Sequence, residues 1–382
     1  MAIKKFITFV KDTYKTDEFI PLHQPTFNGN EKQYVIDTID STFVSSVGNF
    51  VNQFETQLAH FTGVNKAVAT VNGTAALHIS LLLSGVKPGD LVVTQALTFV
   101  ATCNAIHYIG ADPVLVDVSK DTLGMCPLAL EQYLQEHGAI DNEGNCYHKV
   151  TGQVFRAVVP MHTFGHPVAI DMIAEICKRW NIALVEDAAE SLGSTYRDRH
   201  MGTFGAFSAI SFNGNKIITT GAGGMVLCQT DDGAHRAKHL TTTAKTPHAY
   251  DYYHDEVGFN YRLSNLNAAL GCAQLEQLDE FIAKKRLLAH HYCEFFKNTE
   301  FNFVVEPSEC RSNYWLNAII CPDQHARDQL LKMASERNVM VRPAWKLMHH
   351  LPMYHAALRG DLKVSEWLEA RLVNIPSTPV LL

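Results

Sequence analysis

Short apolar runs alternate with amphipathic segments along the first two thirds of the chain. The runs at residues 67–71, 91–94, 113–118, 155–160 and 182–185 consist largely of aliphatic residues without polar alternation. Such runs are typical of parallel strands that are buried on both faces. The segments between them carry apolar residues three or four positions apart, which predicts helices. Strands that alternate with helices in this way indicate an α/β fold.

The pattern is interrupted by three polar or aromatic segments. Residues 136–152 contain two turn signals, Glu-Gly-Asn and Thr-Gly, and predict an inserted hairpin. Residues 41–48 predict a loop between two helices. Residues 241–256 are rich in aromatic residues, histidine and threonine and have little apolar periodicity. A long loop of this kind is usually functional or part of an interface.

The last third of the chain predicts a second, smaller unit. Residues 278–296 form an amphipathic helix whose basic run, 284–286, we interpret as part of a solvated face. A strand at residues 313–321 and a helix at 324–336 follow. We therefore predict a large domain at residues 1–245 and a small C-terminal domain at 246–382, with residues 1–30 as a candidate to pack on the small domain.

Composition excludes several classes of partner. The 382 residues include 32 basic and 39 acidic ones, a formal charge of −7, and no basic tract. This argues against a dedicated nucleic-acid or anionic-membrane binder. The nine cysteines are scattered without a Cys-x-x-Cys pair, which indicates a reducing cytoplasm. No apolar run approaches the roughly 18 residues of a membrane span, so we expect a cytoplasmic protein without a membrane partner.

A carboxylate and a lysine follow neighbouring apolar runs. Asp187 is separated by one residue from the end of the run at residues 182–185, and Lys216 follows the run at 206–212. In open α/β sheets, ligands bind at the carboxyl ends of the strands. Pyridoxal phosphate requires these two groups, because a lysine amine forms its Schiff base and a carboxylate keeps its ring nitrogen protonated. Either residue alone has ordinary structural explanations, but the pair favours a cofactor site.

The most specific motifs lie around these two residues. Glu-Asp-Ala-Ala-Glu-Ser-Leu-Gly-Ser and Ser-Phe-Asn-Gly-Asn-Lys resemble the active-site region of the DegT/StrS sugar aminotransferases, and the resemblance extends from residue 20 to about residue 379. It implies the aspartate aminotransferase-like fold, pyridoxal phosphate fold type I. This fold has a mixed, mostly parallel sheet with helices on both faces and a smaller C-terminal α/β domain. By position, Lys216 matches the catalytic Schiff-base lysine, Asp187 the ring-nitrogen partner and Ser211 a phosphate-binding serine.

The resemblance implies further cofactor contacts. Gly73, Thr74 and Ala75 follow a strand and open a helix, and the family places the cofactor phosphate there. A glycine turn at a helix start leaves N–H groups free for an anion, although this signal is weak alone. Phe99 matches the residue that stacks on the cofactor ring. Glu190 matches a residue beside the phenolic oxygen, where a like charge favours its protonated form.

Other matched positions concern the partner subunit and the substrate. The segment at residues 258–262, Gly-Phe-Asn-Tyr-Arg, is similar to a family motif whose asparagine reaches the cofactor phosphate of the partner subunit. Asn260 at that position implies an obligatory homodimer with shared active sites, whereas an ordinary helix cap is the alternative. Phe43, Arg342 and Trp345 are the candidates to contact a nucleotide sugar.

The histidines at residues 349, 350 and 355 do not predict a metal centre. They lack a carboxylate or cysteine at metal-ligand spacing, so we expect no metal site.

Several segments, including Asp-Ser-Thr-Phe-Val-Ser-Ser-Val-Gly, resemble the LegC-like branch of the family. That branch implies an aminotransferase that converts UDP-linked 4-keto-6-deoxy-N-acetylglucosamine to the 4-amino sugar of the UDP-N-acetylbacillosamine type. Glutamate is the usual donor, and pyridoxamine phosphate is the intermediate form of the cofactor. The alternatives are a GDP-4-keto-6-deoxymannose 4-aminotransferase of the perosamine branch and a catalytically silent regulator that binds sugar nucleotides. The sequence leaves the nucleotide, the face of amination and the donor open.

Overall fold

The computed structural model describes residues 2–380, which form two main sheets and their covering helices. The helices are α1 Ala2–Tyr14, α2 Glu31–Asp40, α3 Asn49–Thr62, α4 Gly73–Leu83, α5 Val100–Tyr108, α6 Pro127–His137, α7 Ile170–Trp180, α8 Asp231–Thr241, α9 Asn265–Leu275, α10 Leu278–Phe296, α11 Gln324–Ser335 and α12 Lys363–Glu369. The strands are β1 Lys66–Thr70, β2 Leu91–Gln95, β3 Asp112–Val116, β4 Gly138–Ile140, β5 Cys146–His148, β6 Phe155–Val159, β7 Ala183–Asp187, β8 Thr195–Tyr196, β9 Arg199–His200, β10 Phe207–Ser211, β11 Gly224–Cys228, β12 Asn302–Phe303, β13 Cys310–Arg311, β14 Asn317–Ile320, β15 Arg342–Pro343 and β16 Leu372–Ile375. Short 3-10 helices lie at Thr163–Gly165 and Met348–His350.

The larger sheet has seven strands in the order β1-β11-β10-β7-β6-β2-β3. The pairs from β10 to β3 are parallel, whereas β11 is antiparallel to both of its neighbours. Every residue of β2 and of β11 is buried, as expected for strands covered on both faces. This mixed, mostly parallel sheet confirms the predicted fold class.

Both faces of this sheet carry their own apolar core. In β11, Met225 and Leu227 belong to a core cluster with Phe54 of α3, whereas Val226 and Cys228 belong to a second cluster on the opposite side. The alternation follows from the period of two along a strand. The sheet is therefore fixed between two layers, and its carboxyl edge is held rigidly where β7 and β10 end.

The smaller sheet has the order β12-β14-β16-β15. Its core includes Ile319 and Ile375, and Phe6 and Val10 of α1 pack into the same cluster with Tyr292 of α10. The N-terminal helix thus lies against C-terminal elements. The division between residues 245 and 246 stays a prediction.

Two predictions of local structure require correction. The strand predicted at residues 313–321 begins only at Asn317, because the preceding residues turn toward the larger sheet and Tyr314 adopts a φ of 47°. The basic run of α10 is not wholly solvated, since Lys285 is fully buried and donates to the carbonyls of Trp315 and Ser377 at 2.9 and 2.6 Å. In contrast, the predicted inserted hairpin is confirmed as β4 and β5.

Within residues 2–380, no helix combines the length and the apolar character that a membrane crossing requires.

Candidate active site

A cavity of about 260 Å³ lies at the carboxyl ends of β7 and β10. Most of the predicted cofactor residues line it, together with one predicted substrate residue: Gly73, Thr74, Phe99, Asp187, Glu190, Ser211, Lys216 and Trp345. The structure thus brings together residues from segments that are far apart in the chain. The position at a sheet's carboxyl edge is the one that the strand pattern predicts.

Asp187 is the last residue of β7 and is only 5% exposed. Its carboxylate accepts hydrogen bonds from Thr102 Oγ1 at 2.7 Å and from the N–H of Ala189 at 3.2 Å. Burial raises the pKa of the Asp187 carboxyl, while these hydrogen bonds lower it. A protonated ring nitrogen is the kind of partner that would offset the burial of this carboxylate.

Lys216 follows β10 after a turn in which its N–H donates to the carbonyl of Asn213 at 2.9 Å. Its Nζ lies 3.2 Å from Oε1 of Glu190 and 3.9 Å from the ring centre of Trp315. Burial raises the pKa of the Glu190 carboxyl to about 7, although the charge of Lys216 and the N–H of Phe164 lower it. Nζ of Lys216 and Oε1 of Glu190 therefore lie within hydrogen-bond distance of each other inside the cavity.

The N-terminus of α4 forms the other end of the cavity. The Asn72 side chain caps the helix by accepting the N–H of Ala75 at 2.8 Å, which leaves the first N–H groups of the helix for a ligand. A Cβ built on Gly73 would lie 2.8 Å from Cβ of Ser211, so glycine is required at this approach. A phosphate contact through Ala75 stays a prediction, because its N–H is donated to Asn72.

Aromatic side chains form one wall of the cavity. Phe99 is 49% exposed, and its ring centre lies 6.1 Å from that of Trp345, which in turn lies 5.1 Å from Phe164. Phe164 is fully buried in the left-handed region, at a φ of 57°. Backbone strain of this kind concentrates at functional sites. The one sequence signal at Phe164 is its place before a turn glycine.

Trp315 and Asn72 are cavity residues that sequence reasoning missed. The strand predicted at residues 313–321 includes Trp315, and nothing in the spacing of Trp315 relates it to Lys216. Asn72 carries a detectable signal, because asparagine before Gly-Thr at a helix start is a favoured N-cap. His162, in the segment after β6, does not line the cavity and instead pairs with a buried carboxylate, since its Nε2 lies 3.1 Å from Oε2 of the fully buried Glu186.

Besides Ala75, three predicted residues do not line the cavity of this chain. Asn260 lies outside it, and its Oδ1 accepts hydrogen bonds from Arg262. Phe43 is 59% exposed on a loop, and its main-chain carbonyl accepts a hydrogen bond from Nδ2 of Asn265. Arg342 is exposed in β15. Their proposed roles therefore depend on a partner subunit or on bound substrate.

The lining residues fit pyridoxal phosphate. A buried carboxylate, a lysine amine and a helix N-terminus beside a serine match the ring nitrogen, the aldehyde and the phosphate of this cofactor. Together with the sheet order, this arrangement defines a pyridoxal phosphate enzyme of fold type I. The chain belongs to the DegT/DnrJ/EryC1/StrS aminotransferase family, whose profile matches residues 25–382. It is thus a pyridoxal phosphate-dependent nucleotide-sugar aminotransferase.

Curated relatives cover most of the chain. It is 36% identical over 364 residues to a GDP-perosamine synthase of Escherichia coli O157:H7, which covers 95% of this chain and 94% of that protein. It is 38% identical over 340 residues to the putative pyridoxal phosphate-dependent aminotransferase EpsN of Bacillus subtilis (strain 168), covering 89% and 84%. These relatives do not confirm the LegC-like branch.

Solved structures agree with this family. The aminotransferase TlmJ from Streptoalloteichus hindustanus superposes with a TM-score of 0.84 at 27% identity and covers 94% of this chain and 93% of its own. A DegT DnrJ EryC1 StrS aminotransferase from Brucella abortus gives a TM-score of 0.83 at 25% identity, covering 92% and 91%.

Proposed function

We propose that this aminotransferase acts on GDP-linked 4-keto-6-deoxymannose and produces the 4-amino sugar GDP-perosamine. The observation that carries the proposal is that three relatives, 34 to 36% identical over 94 to 95% of the chain, are named GDP-perosamine synthase. These relatives support the GDP-linked alternative over the UDP-linked substrate that the sequence motifs favoured.

The residues of the cavity support a transamination in two halves. Bound pyridoxal phosphate supplies an electron sink for the negative charge that develops at the donor's α-carbon. Asp187 holds the proton on the ring nitrogen. Lys216 binds the cofactor covalently and, once released, moves a proton at the α-carbon through Nζ. Glu190 exchanges a proton with Nζ, because its carboxylate lies 3.2 Å away and its pKa is about 7.

The walls of the cavity shield the reactants from water on the sides away from its opening. Phe99, Trp315 and Trp345 cover its sides, and Gly73 and Ser211 close the end beside α4. Exclusion of water strengthens the electrostatic contacts of Asp187 and prevents side reactions at a carbanion. Phe99 lies where it can stack on a planar ring, which adds about 0.5–1.5 kcal/mol beyond the burial of area.

The sugar nucleotide is assigned to the open side of the cavity. Trp345 lines the cavity and contacts Phe99, so it is a candidate to contact the sugar. Arg342 lies three residues earlier and is exposed, and a guanidinium matches the oxygens of a diphosphate. Phe43 projects from an exposed loop, where it joins the substrate site in our proposal.

We also propose a homodimer in which Asn260 completes the partner's site. Tyr250, Tyr252 and Val257 are 87, 78 and 84% exposed on the loop before Asn260. Large exposed apolar side chains that cluster on one loop are typical of an interface. This supports an assembly in which each chain contributes to both sites.

An absorbance titration distinguishes the two sugars. The purified protein is loaded with pyridoxal phosphate, converted with glutamate to the aminated form, and then mixed separately with the GDP-linked and UDP-linked 4-keto-6-deoxy sugars. We expect the band of the lysine-bound cofactor to return with the GDP-linked sugar. Return with the UDP-linked N-acetyl sugar alone would refute the proposed substrate but keep the mechanism.

Replacement of Lys216 tests its proposed role. Lys216→Ala removes the amine that bonds the cofactor and moves the proton, so we expect turnover to fall at least about 10³-fold. The loss of general acid–base catalysis alone typically lowers a rate by a factor of about 10²–10⁴. Circular dichroism should show an unchanged fold. Lys363→Ala is the matched control, because the Lys363 side chain is 83% exposed. Full turnover of Lys216→Ala would disprove the assignment.

A further inference from the structure

The indole of Trp315 lies directly against the amine of Lys216. Nζ of Lys216 is 3.9 Å from the ring centre, and Trp315 is only 4% exposed. An ammonium group over the face of a desolvated indole is attracted by the negative face of the ring. Glu190 is the second neighbour of Nζ, at 3.2 Å. The free amine of Lys216 is therefore held between a carboxyl group and an aromatic face.

The same indole also fixes the main chain beside Lys216. Its N–H donates to the carbonyl of Asn215 at 2.7 Å, one residue before Lys216. Trp315 thus contacts both ends of the lysine, the backbone that carries it and the amine that terminates it. One rigid side chain defines where that amine can lie.

Trp315 itself is held by buried hydrogen bonds. The main-chain N–H of Trp315 donates to Oδ1 of Asn313 at 2.8 Å, and its main-chain carbonyl accepts from Nζ of the fully buried Lys285 at 2.9 Å. Asn313 also donates to the carbonyls of Glu190 and Leu192, both at 2.9 Å. These bonds tie the position of the indole to the segment that carries Glu190, so the two neighbours of the amine are positioned together.

We infer that Trp315 is a positioning residue that holds the amine of Lys216 while this amine is not bonded to the cofactor. The inference rests on the proposed role of Lys216. Bonding to the cofactor removes the free ammonium group that the indole attracts, so Trp315 stabilises the released form relative to the bonded form. It keeps the amine beside Glu190 during the part of the reaction in which Lys216 moves a proton.

The equilibrium of the first half-reaction measures this preference. Glutamate transfers its amino group to the cofactor, its α-carbon becomes the keto carbon of 2-oxoglutarate with oxygen from one water molecule, and the amine of Lys216 is released. We expect Trp315→Leu to require an about tenfold higher ratio of glutamate to 2-oxoglutarate for half conversion, since a desolvated contact of this kind is worth about that factor. Visible absorbance at equilibrium gives the ratio.

Matched variants separate the ring from its hydrogen bond. Trp315→Phe keeps an aromatic face and loses the N–H, so we expect a smaller shift. Trp367→Leu is the control. Nζ of Lys120 lies 4.1 Å from the ring centre of Trp367, so the contact is of the same kind, but Trp367 does not line the cavity. Its equilibrium should equal that of the unsubstituted protein.

Fluorinated tryptophans at position 315 provide a test that preserves the fold. Successive fluorine atoms weaken the negative face of the ring while size and the N–H remain, so we expect the required ratio to rise with each added fluorine. In cofactor-free protein, the acylation rate of Lys216 relative to Lys363 should rise in the same order.

Several outcomes would overturn the inference. One is an unchanged ratio of glutamate to 2-oxoglutarate at half conversion, either in Trp315→Leu or across the fluorinated series. Another is a change in the reaction rates of these variants without a change in that ratio. Failure of the proposed function gives a different result. Borohydride reduction of the loaded, unsubstituted protein would then attach the cofactor to another lysine, or to none.

Discussion

At the scale of single residues, the chemistry depends on charged groups that are almost wholly buried. Glu190 is 3% exposed, and its Oε2 accepts the N–H of Phe164 while Oε1 faces Lys216. Burial raises the pKa of the Glu190 carboxyl to about 7 from an ordinary value of 4.5. The charge state of this carboxyl therefore changes near neutral pH.

This pKa predicts how the stability of the cofactor-free protein depends on pH. Between about pH 4.5 and 7 the unfolded chain binds fewer protons at Glu190 than the folded chain does, so the free energy of unfolding falls as the pH rises. Glu190→Gln removes this loss and should be more stable than the unsubstituted protein at pH 8, by up to about 3 kcal/mol. Urea unfolding measures the difference.

The difference in the free energy of unfolding between Glu190→Gln and the unsubstituted protein should disappear below about pH 4.5. There the Glu190 carboxyl is protonated in both the folded and the unfolded chain. Asp361→Asn is a suitable control, because hydrogen bonds from Lys363 lower the pKa of the exposed Asp361 carboxyl. It should show no gain in stability at pH 8. An equal gain in both variants would contradict the role assigned to Glu190.

Sequence patterns locate some of these residues and miss others for a physical reason. Asp187 and Lys216 follow apolar runs, and because strand ends meet at one sheet edge, their proximity could be predicted. Trp315 reaches the same cavity through a turn whose position is set by long-range hydrogen bonds of Asn313. Contacts of that kind leave no periodic signal in the sequence.

At the scale of elements, the N-terminus of α4 is the predicted phosphate site. Gly73→Ala would bring a Cβ to 2.8 Å from Ser211, so either the helix start or the serine must move. We expect the dissociation constant of pyridoxal phosphate to rise about tenfold or more, because two backbone N–H groups and one hydroxyl are displaced together. Equilibrium dialysis of the cofactor measures the change.

Gly360→Ala is the matched control for that substitution. A Cβ at Gly360 would contact only the edge of the Tyr133 ring at 3.4 Å, outside the cavity. Its cofactor affinity should be unchanged. If Gly73→Ala also retained full affinity, the phosphate site would have to lie elsewhere.

Element boundaries were predictable where polar turns enclose an apolar run. The hairpin of β4 and β5 and the parallel strands of the larger sheet meet this condition. The start of β14 does not meet this condition, because the Asn313 side chain donates hydrogen bonds to the carbonyls of Glu190 and Leu192 rather than to a neighbouring strand. Tertiary hydrogen bonds there override the strand preference of the local sequence.

At the scale of the whole molecule, a shared site predicts complementation between inactive variants. Lys216→Ala and Asn260→Ala should each be inactive, but a mixed dimer would contain one site without either substitution. After exchange of subunits, random mixing should therefore restore about a quarter of the original activity. Turnover before and after mixing measures this recovery.

Sedimentation velocity provides the control for complementation, because it reports the assembly independently of turnover. An active monomer would contradict the proposed homodimer. A dimer that shows no recovery after verified subunit exchange would place Asn260 outside the partner's site.

The order of strands in the larger sheet has a consequence for synthesis of the chain. β1 lies at the edge of the described sheet and pairs with β11, so that Thr70 faces Gly224. The turn after β1 is held by this late strand, since a Cβ on Gly224 would lie 2.4 Å from the main chain of Asn72. A ribosome must therefore release residues far beyond β1 before the predicted phosphate end of the cavity is fixed.

The remaining wall is made later still, because Trp315 and Trp345 belong to the last fifth of the chain. Long-range pairing of this kind is slow, as loop closure precedes the contacts that stabilise it. A nascent chain stalled before residue 224 should expose β1 without its neighbour and retain no cofactor. We accordingly expect loading with pyridoxal phosphate to be one of the final events in maturation.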